Sequence, residues 1–218
     1  RLDYKLRGII IHKVLEEFMI EFSKMYFSEE EALKIFNKIL KKNFHLTSLN
    51  KDVLYLWLSK FRKIGKFFVN NELKKKNENS VEGIEIFGKI IIKLNNNENI
   101  ELIAKADRID VSKSNITIYD YKTSLVNNSL LTNLAPQLDL EALILKEGGF
   151  KNIHVDKNKK IIVSLISLSS NSKEIEKIID DSKLFITLKS LKKLLSHFYS
   201  SNNPFFPGLL YFKNKQFI

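Results

Sequence analysis

Cysteine is absent from the 218 residues. That excludes disulfides, thiolate zinc sites and cysteine-ligated iron–sulfur clusters, and leaves the redox compartment undetermined. Glycine and proline are scarce, at seven and three residues, which excludes collagen-like and Pro/Gly-rich low-complexity chains. No apolar run approaches the roughly 18 residues that a membrane helix needs, and no signal peptide is visible. A cytoplasmic protein with no membrane partner is expected. There is no Gly-x-x-x-x-Gly-Lys-Ser/Thr loop, so this stretch has no ATP motor of its own. Acidic residues stop before Ser182, and six lysines follow. The chain opens on Arg1 and enters a helical pattern almost at once, as a piece of a longer protein would.

What is present is core and positive charge. Hydrophobic residues are 44% of the chain and include sixteen Phe, enough for one substantial domain. The formal net charge is +11. A field of that sign attracts polyanions, nucleic acid first among them. The competing explanation is a coding bias that inflates Lys, Asn and Ile together, and all three are abundant here. The acid-free stretch after Ser182 favours a polyanion-facing region.

The N-terminal third reads as helices. Ile11, Val14, Leu15, Phe18, Phe22 and Met25 recur at three- and four-residue spacing over Leu6 to about Phe27. Gly8, His12 and Glu16 lie four apart on a neighbouring line, and Gly8 leaves room for approach to the imidazole. Ser28 followed by Glu29, Glu30 and Glu31 reads as a cap for a second helix to about Phe44. A third runs from about Leu49 to Lys76, with Gly65 as a candidate bend.

After the polar break at residues 77–80 the period changes to two, over Glu82 to Leu94. Ile84, Ile86, Ile90, Ile92 and Leu94 alternate with Glu85, Phe87, Lys89 and Lys93, a half-buried strand. Residues 95–99 are an Asn-rich turn. Ile100 to Val111 returns with Asp107 on the face of Ile103, Lys105 and Ile109, and residues 112–115 turn into a third strand ending Asp120-Tyr121-Lys122-Thr123. Asp120 and Lys122 project to one face, while Tyr121 points to the other and leaves its carbonyl beside them. Residues 127–129 cap a helix from about 130 to Lys146, which bears Gln137 and Glu141. Lys160 to Leu168 is a further strand. A helix is predicted from about Ser172 to Tyr199, broken near Leu184, before a tail around Pro204 and Pro207.

Asp107, Asp120 and the Tyr121 carbonyl are hard oxygen ligands, suited to Mg²⁺ or Mn²⁺, and the His12 imidazole could complete the set. Lys122 could then hold a water or stabilise charge on phosphoryl oxygens. The plain alternative is an Asp–Lys ion pair with no catalytic role.

These residues also carry a resemblance. Gly8-x-x-x-His12, Ala104-Lys105-Ala106-Asp107-Arg108-Ile109-Asp110, Asp120-Tyr121-Lys122-Thr123 and Pro136-Gln137-Leu138-x-Leu140 together resemble the RecB-type branch of the PD-(D/E)xK nucleases. Within that branch the order is most similar to the C-terminal nuclease domains of the AddB family. The resemblance spans roughly Leu6 to Leu145. It implies an α/β (α+β), restriction-endonuclease-like core: a mixed sheet of four to five strands, a three-strand meander within it, flanking helices and an N-terminal helical part. It implies metal binding by His12, Asp107, Asp120 and the Tyr121 carbonyl, catalysis by Lys122 with Asp120 and Asp107, and DNA near Gln137. Lys105 and Arg108 are candidates for phosphate contact, or else strand-edge charges that discourage edge pairing. Glu141 stands where the family motif has Tyr, and Ala104 where Gly is common. Without cysteine the chain resembles the cluster-free kind.

The expectation is therefore a single domain over 1–218: helical at 1–80, a sheet core at 81–170 and a C-terminal helical region beyond. Its expected activity is Mg²⁺-dependent, exonucleolytic DNA cleavage on single strands delivered from a duplex end by an AddA-like helicase partner in double-strand break repair. A stand-alone RecB- or Cas4-like exonuclease and a non-catalytic DNA-binding domain of the same fold are the other readings.

Overall fold

The computed structural model describes residues 4–45, 51–94, 98–123, 136–156, 158–169 and 171–199. Helix α1 (Tyr4–Phe22) buries Ile11, Val14, Leu15, Phe18 and Phe22, the predicted stripe. It stops at Phe22 rather than at Phe27, so Met25 falls beyond it and is exposed. The stop is followed by a reciprocal cap. The Ser28 amide donates to Glu31 Oε2 at 2.9 Å and the Glu31 amide donates to Ser28 Oγ at 3.3 Å, which satisfies amides at the start of α2 (Glu29–His45). Helix α3 (Lys51–Lys75) passes through Gly65 without ending. The glycine serves close packing instead: a Cβ there would lie 2.3 Å from the Phe36 ring.

Five strands form one sheet in the order β1-β2-β3-β4-β5. β1 (Asn79–Lys93), β2 (Asn99–Ser112) and β3 (Asn115–Lys122) are the antiparallel meander. The connection from β3 to β4 (Lys160–Ser167) carries helix α4 (Pro136–Lys146), and β4 lies parallel to β3. A parallel neighbour needs such a crossover. The segment predicted to start a helix at Ser172 is instead an antiparallel edge strand, β5 (Lys173–Ile179). Helix α5 (Asp181–Tyr199) begins only after it, with the Lys183 amide capped by Asp180 Oδ1 at 2.7 Å, and it continues unbroken past Leu184. The predicted helix start at 130 and its cap, the turn at 95–97 and the proline-flanked tail lie outside the described residues.

Two apolar cores face the two sides of the sheet. The first joins α1, α2 and α3 to Tyr119 and Tyr121, and the second joins α4 to Ala106, Ile109, Ile116, Ile118 and Val163. Burial of each large apolar side chain contributes about 1.5–3 kcal/mol, so both cores hold the sheet firmly. On the outer strands the alternation changes step. In β2, Leu102, Ala104 and Ala106 share the second core with Ile109 and Val111, so even and odd positions meet on one face. In β1, Val81 and Ile84 pack on the first core while Ile86 and Ile90 pack on the second. In β1 the register slips between Val81 and Gly83, which lets Val81 and Ile84 share a face, and the step changes again at Glu85, which has φ of 52°; in β2 it changes at Asp107. The predicted face of Ile103, Lys105, Asp107 and Ile109 is therefore broken at its third member. A mixed sheet flanked by helices, as the restriction-endonuclease-like expectation requires, is present.

Candidate metal centre

The site begins where β2 and β3 part. Their ladder runs from Val111↔Ile116 to Arg108↔Tyr119 and stops. One residue further, Asp107 and Asp120 would be partners. In place of a ladder bond, the Tyr121 amide donates to Asp107 Oδ2 at 2.8 Å. The other Asp107 oxygen lies 3.3 Å from His12 Nδ1, which α1 brings across the strand end. In the β1/β2 register Glu85 falls opposite Asp107, between Ile84↔Arg108 and Ile86↔Ala106. Its Oε1 is 4.0 Å from His12 Nδ1, and its Oε2 accepts from Lys105 Nζ. One ligand atom each from His12, Glu85 and Asp107 fits within a mutual distance of 4.8 Å.

Asp120 Oδ1 accepts from Lys122 Nζ at 2.8 Å. The carboxylate is buried and the ammonium partly open to solvent. On the same side of β3, α4 adds Gln137 and Glu141: Gln137 Nε2 donates to Glu141 Oε1 at 3.0 Å. Glu141 is 1% exposed, and among the described residues its buried Oε2 has no hydrogen-bond partner. The Tyr121 ring points away into the first core, edge-on to His12 at 6.3 Å. α1 is tied to this end of the sheet by Arg7 Nη2, which donates to the Thr123 carbonyl at 2.9 Å. Beside it, a Cβ at Gly8 would meet only Thr123 Oγ1, at 3.9 Å. A cleft lined by Gly8, Ile9, His12, Lys13, Glu16 and Glu85 opens the site outward.

The electrostatics follow from this crowding. The Asp107 hydrogen bond raises the His12 pKa, against the opposing effect of burial. Burial raises Asp120, which the Lys122 ammonium only partly offsets. Burial pushes Glu141 up to about 8, with Gln137 opposing and the charges of Asp120 and Asp107 adding to the rise. Four carboxyl groups (Glu85, Asp107, Asp120 and Glu141) meet two ammonium groups, Lys105 and Lys122. With neutral His12 the fully ionised set is two positive charges short, the charge of one divalent cation. Glu141 Oε2, like Glu72 Oε1 beside Arg108, is buried without a hydrogen-bond partner among the described residues.

Of the predicted residues, His12, Asp107, Asp120, Lys122 and the Tyr121 backbone share one strand end, and Gln137 reaches it through Glu141. Lys105 reaches it through Glu85, with its ammonium also 5.4 Å from the Phe87 ring. Arg108 does not. It is 2% exposed, donates to both Asp110 oxygens and to Glu72 Oε2 (2.6 Å for the last), and lies 4.6 Å over the Tyr119 ring. It is neither a surface phosphate contact nor an edge charge, because β2 is paired on both sides there. Opposing charges hold it protonated well above its ordinary value in spite of burial. Glu85 was missed: read as one outward position of an alternating strand, it gains meaning only from the register and the step shift.

A model of the PD-(D/E)XK nuclease superfamily matches residues 1–205. A curated protein of Rickettsia bellii is 34% identical over 152 residues, covering 67% of this chain and 18% of the relative. One of Rickettsia typhi is 32% identical over 156 residues, covering 66% and 17%. The chain thus spans less than a fifth of the length of these relatives. The solved structure titled "Crystal structure of SSO0001" aligns over 91% of both chains at 12% identity, with a TM-score of 0.36.

Proposed function

Because the chain belongs to the PD-(D/E)XK nuclease superfamily, we propose that it hydrolyses DNA phosphodiesters with Mg²⁺ or Mn²⁺, as the exonuclease module of a helicase–nuclease. The observation that carries this reading is the charge shortfall where β2 and β3 part: buried and half-buried carboxylates gathered around His12 and Lys122 without enough cations to balance them. Such a cluster is costly to bury unless a cation completes it. His12, Asp107, Asp120 and the Tyr121 carbonyl would hold the ion, with Glu85 as an added candidate. When bound, a divalent cation polarises the phosphoryl oxygen and lowers the pKa of a bound water.

The chain's own groups do the rest. Asp107 orients the imidazole through Nδ1 and fixes its own second oxygen on the Tyr121 amide. Ligation needs neutral His12, whereas Asp107 favours the protonated ring, so the cation competes with a proton there. Lys122, anchored on Asp120 and partly open to solvent, can present its ammonium to a water or to a phosphate oxygen. The net charge of +11 supports capture of a polyanion. An AddA-like motor feeding single strands from a duplex end in double-strand break repair, in the cytoplasm, is the setting the sequence resemblance suggests. Among the described residues no helix is long and apolar enough to cross a membrane.

The test is cleavage of end-labelled linear single- and double-stranded DNA by the 218-residue chain with Mg²⁺, Mn²⁺ or EDTA. Shortening of the strands from an end with either metal, lost with EDTA and in Asp120→Ala, is expected. DNA binding without cleavage under both metals would replace this reading with a non-catalytic binding module.

A further inference from the structure

Glu141 is the buried group that the proposed chemistry leaves without a task. It lies on α4, among Leu138, Ala142 and Leu145 of the second core, and is 1% exposed. A carboxyl group so placed costs several kcal/mol unless both oxygens are served. Only one is. Gln137, one helical turn earlier, donates to Oε1 at 3.0 Å, and Oε2 has no partner among the described residues. The nearest charged groups do not explain its position. Asp120 and Asp107 repel it, and Lys122, the attractive charge within range, is already bonded to Asp120 Oδ1 at 2.8 Å. An apolar residue of similar volume would suit the second core better. A buried carboxylate within range of the charges of Asp120 and Asp107, with one oxygen unserved, has the character of a ligand awaiting a cation.

The geometry points to Glu141 as a further carboxylate ligand of the divalent cation, supplying Oε2 from α4 while Gln137 fixes Oε1. This rests on the metal-site reading above. It widens the ligand set from the two outer strands and α1 to the crossover helix. It also assigns Gln137 as a positioning residue, acting through Glu141. A carboxylate drawn from α4 would make cation binding depend on how α4 docks on the sheet.

The test is Mn²⁺ binding by the full 218-residue chain, read as loss of the free-ion EPR signal, in wild type, Glu141→Gln and Glu141→Leu. Gln keeps the shape and an acceptor for Gln137; Leu replaces the group with apolar volume. Asp120→Asn is the reference for loss of a ligand. A Kd weakened about fivefold or more in the folded Glu141 variants, with a smaller Mn²⁺-induced rise in Tm, is the expected result. A change of less than about fivefold overturns the assignment, and so does wild-type protein that binds no Mn²⁺. The two readings separate cleanly. Wild type that binds Mn²⁺ but cuts nothing removes the nuclease reading and leaves Glu141 to be judged by Kd. Variants that bind as wild type does while wild type cuts DNA remove Glu141 alone.

Discussion

Strand β2 carries two buried charge networks side by side, and they are built to opposite rules. At Arg108 and Asp110 the network is closed around a cation of the chain: the guanidinium donates through all three nitrogens, to Asp110 and to Glu72, against the face of Tyr119, and Glu72 Oε1 is left without a hydrogen-bond partner among the described residues. Lys75 and Glu174 extend it across the sheet through a 2.6 Å ion pair, with Ser164 donating to the same carboxylate. At Asp107, one residue away, the network is open. No buried cation fills it: its four carboxyl groups meet only the ammonium groups of Lys105 and Lys122, both partly open to solvent, and His12 reaches it from α1. A buried carboxylate cluster centred on a cation of the chain holds a fold; one without such a cation can be completed from outside. The step shift at Asp107 and Glu85 turns neighbouring residues of one strand towards these different ends.

The comparison can be broken by exchanging what each network lacks. The largest effect is expected at the open end. Lys122→Ala should lower kcat for DNA cleavage by about 10³–10⁴ while leaving the Tm within a few degrees, because Lys122 is partly exposed; comparing cleavage rates and melting curves separates the two. Arg108→Ala should do the reverse. It leaves Glu72 and Asp110 buried and uncompensated, at a cost of about 3–5 kcal/mol in urea unfolding, and an unchanged midpoint would refute the closed network.

The next effect is one of pH. Glu141 titrates near its ordinary 4.5 when unfolded and at about 8 when folded. Between those values the folded state binds more protons, so metal-free stability falls as pH rises from about 4.5 to about 8. The loss should be on the order of 4 kcal/mol. Buried Glu72 and Asp120 are raised too and act in the same direction. Unfolding curves of wild type and Glu141→Gln across that range should therefore differ in slope; parallel curves would show that Glu141 does not titrate this way.

Smaller effects sharpen the picture. Glu85→Gln should weaken Mn²⁺ binding about tenfold, roughly 1.4 kcal/mol, measured by titration calorimetry. Equal affinity would remove Glu85 from the ligand set. Gly8→Ala should stabilise α1 by about 0.5–1 kcal/mol, since the added Cβ meets nothing closer than 3.9 Å. Melting curves check this, and a fall in cleavage without a fall in Tm would assign the space above Gly8 to the substrate.

Much of this was legible in the sequence, for local reasons. Helical stripes and strand alternation mark α1, α2, α3 and the meander, because burial imposes those periods. Adjacent strands separated by short turns bring Asp107 near Asp120. What could not be read depended on register or on tertiary contact. Residues 85 and 107 flank position 96 symmetrically, whereas a turn read as 95–99 is centred on 97, so Glu85 pairs with the wrong neighbour on paper. β5 is seven residues of Lys, Glu and Ile, too short and too charged to distinguish from the helix after it. Arg108 resembles a surface cation until Glu72, 36 residues earlier, is seen beneath it. Glu141 gains its significance only when α4 lies against β3.

The central claim is that the open network binds a divalent cation and the closed one does not. Anomalous diffraction from crystals of the protein soaked in Mn²⁺ tests it most directly. The account predicts a manganese peak bounded by His12, Glu85, Asp107 and Asp120, and none near Arg108, Asp110 and Glu72. A peak elsewhere on the chain, or no peak at the strand end with Mn²⁺ in large excess, would contradict it.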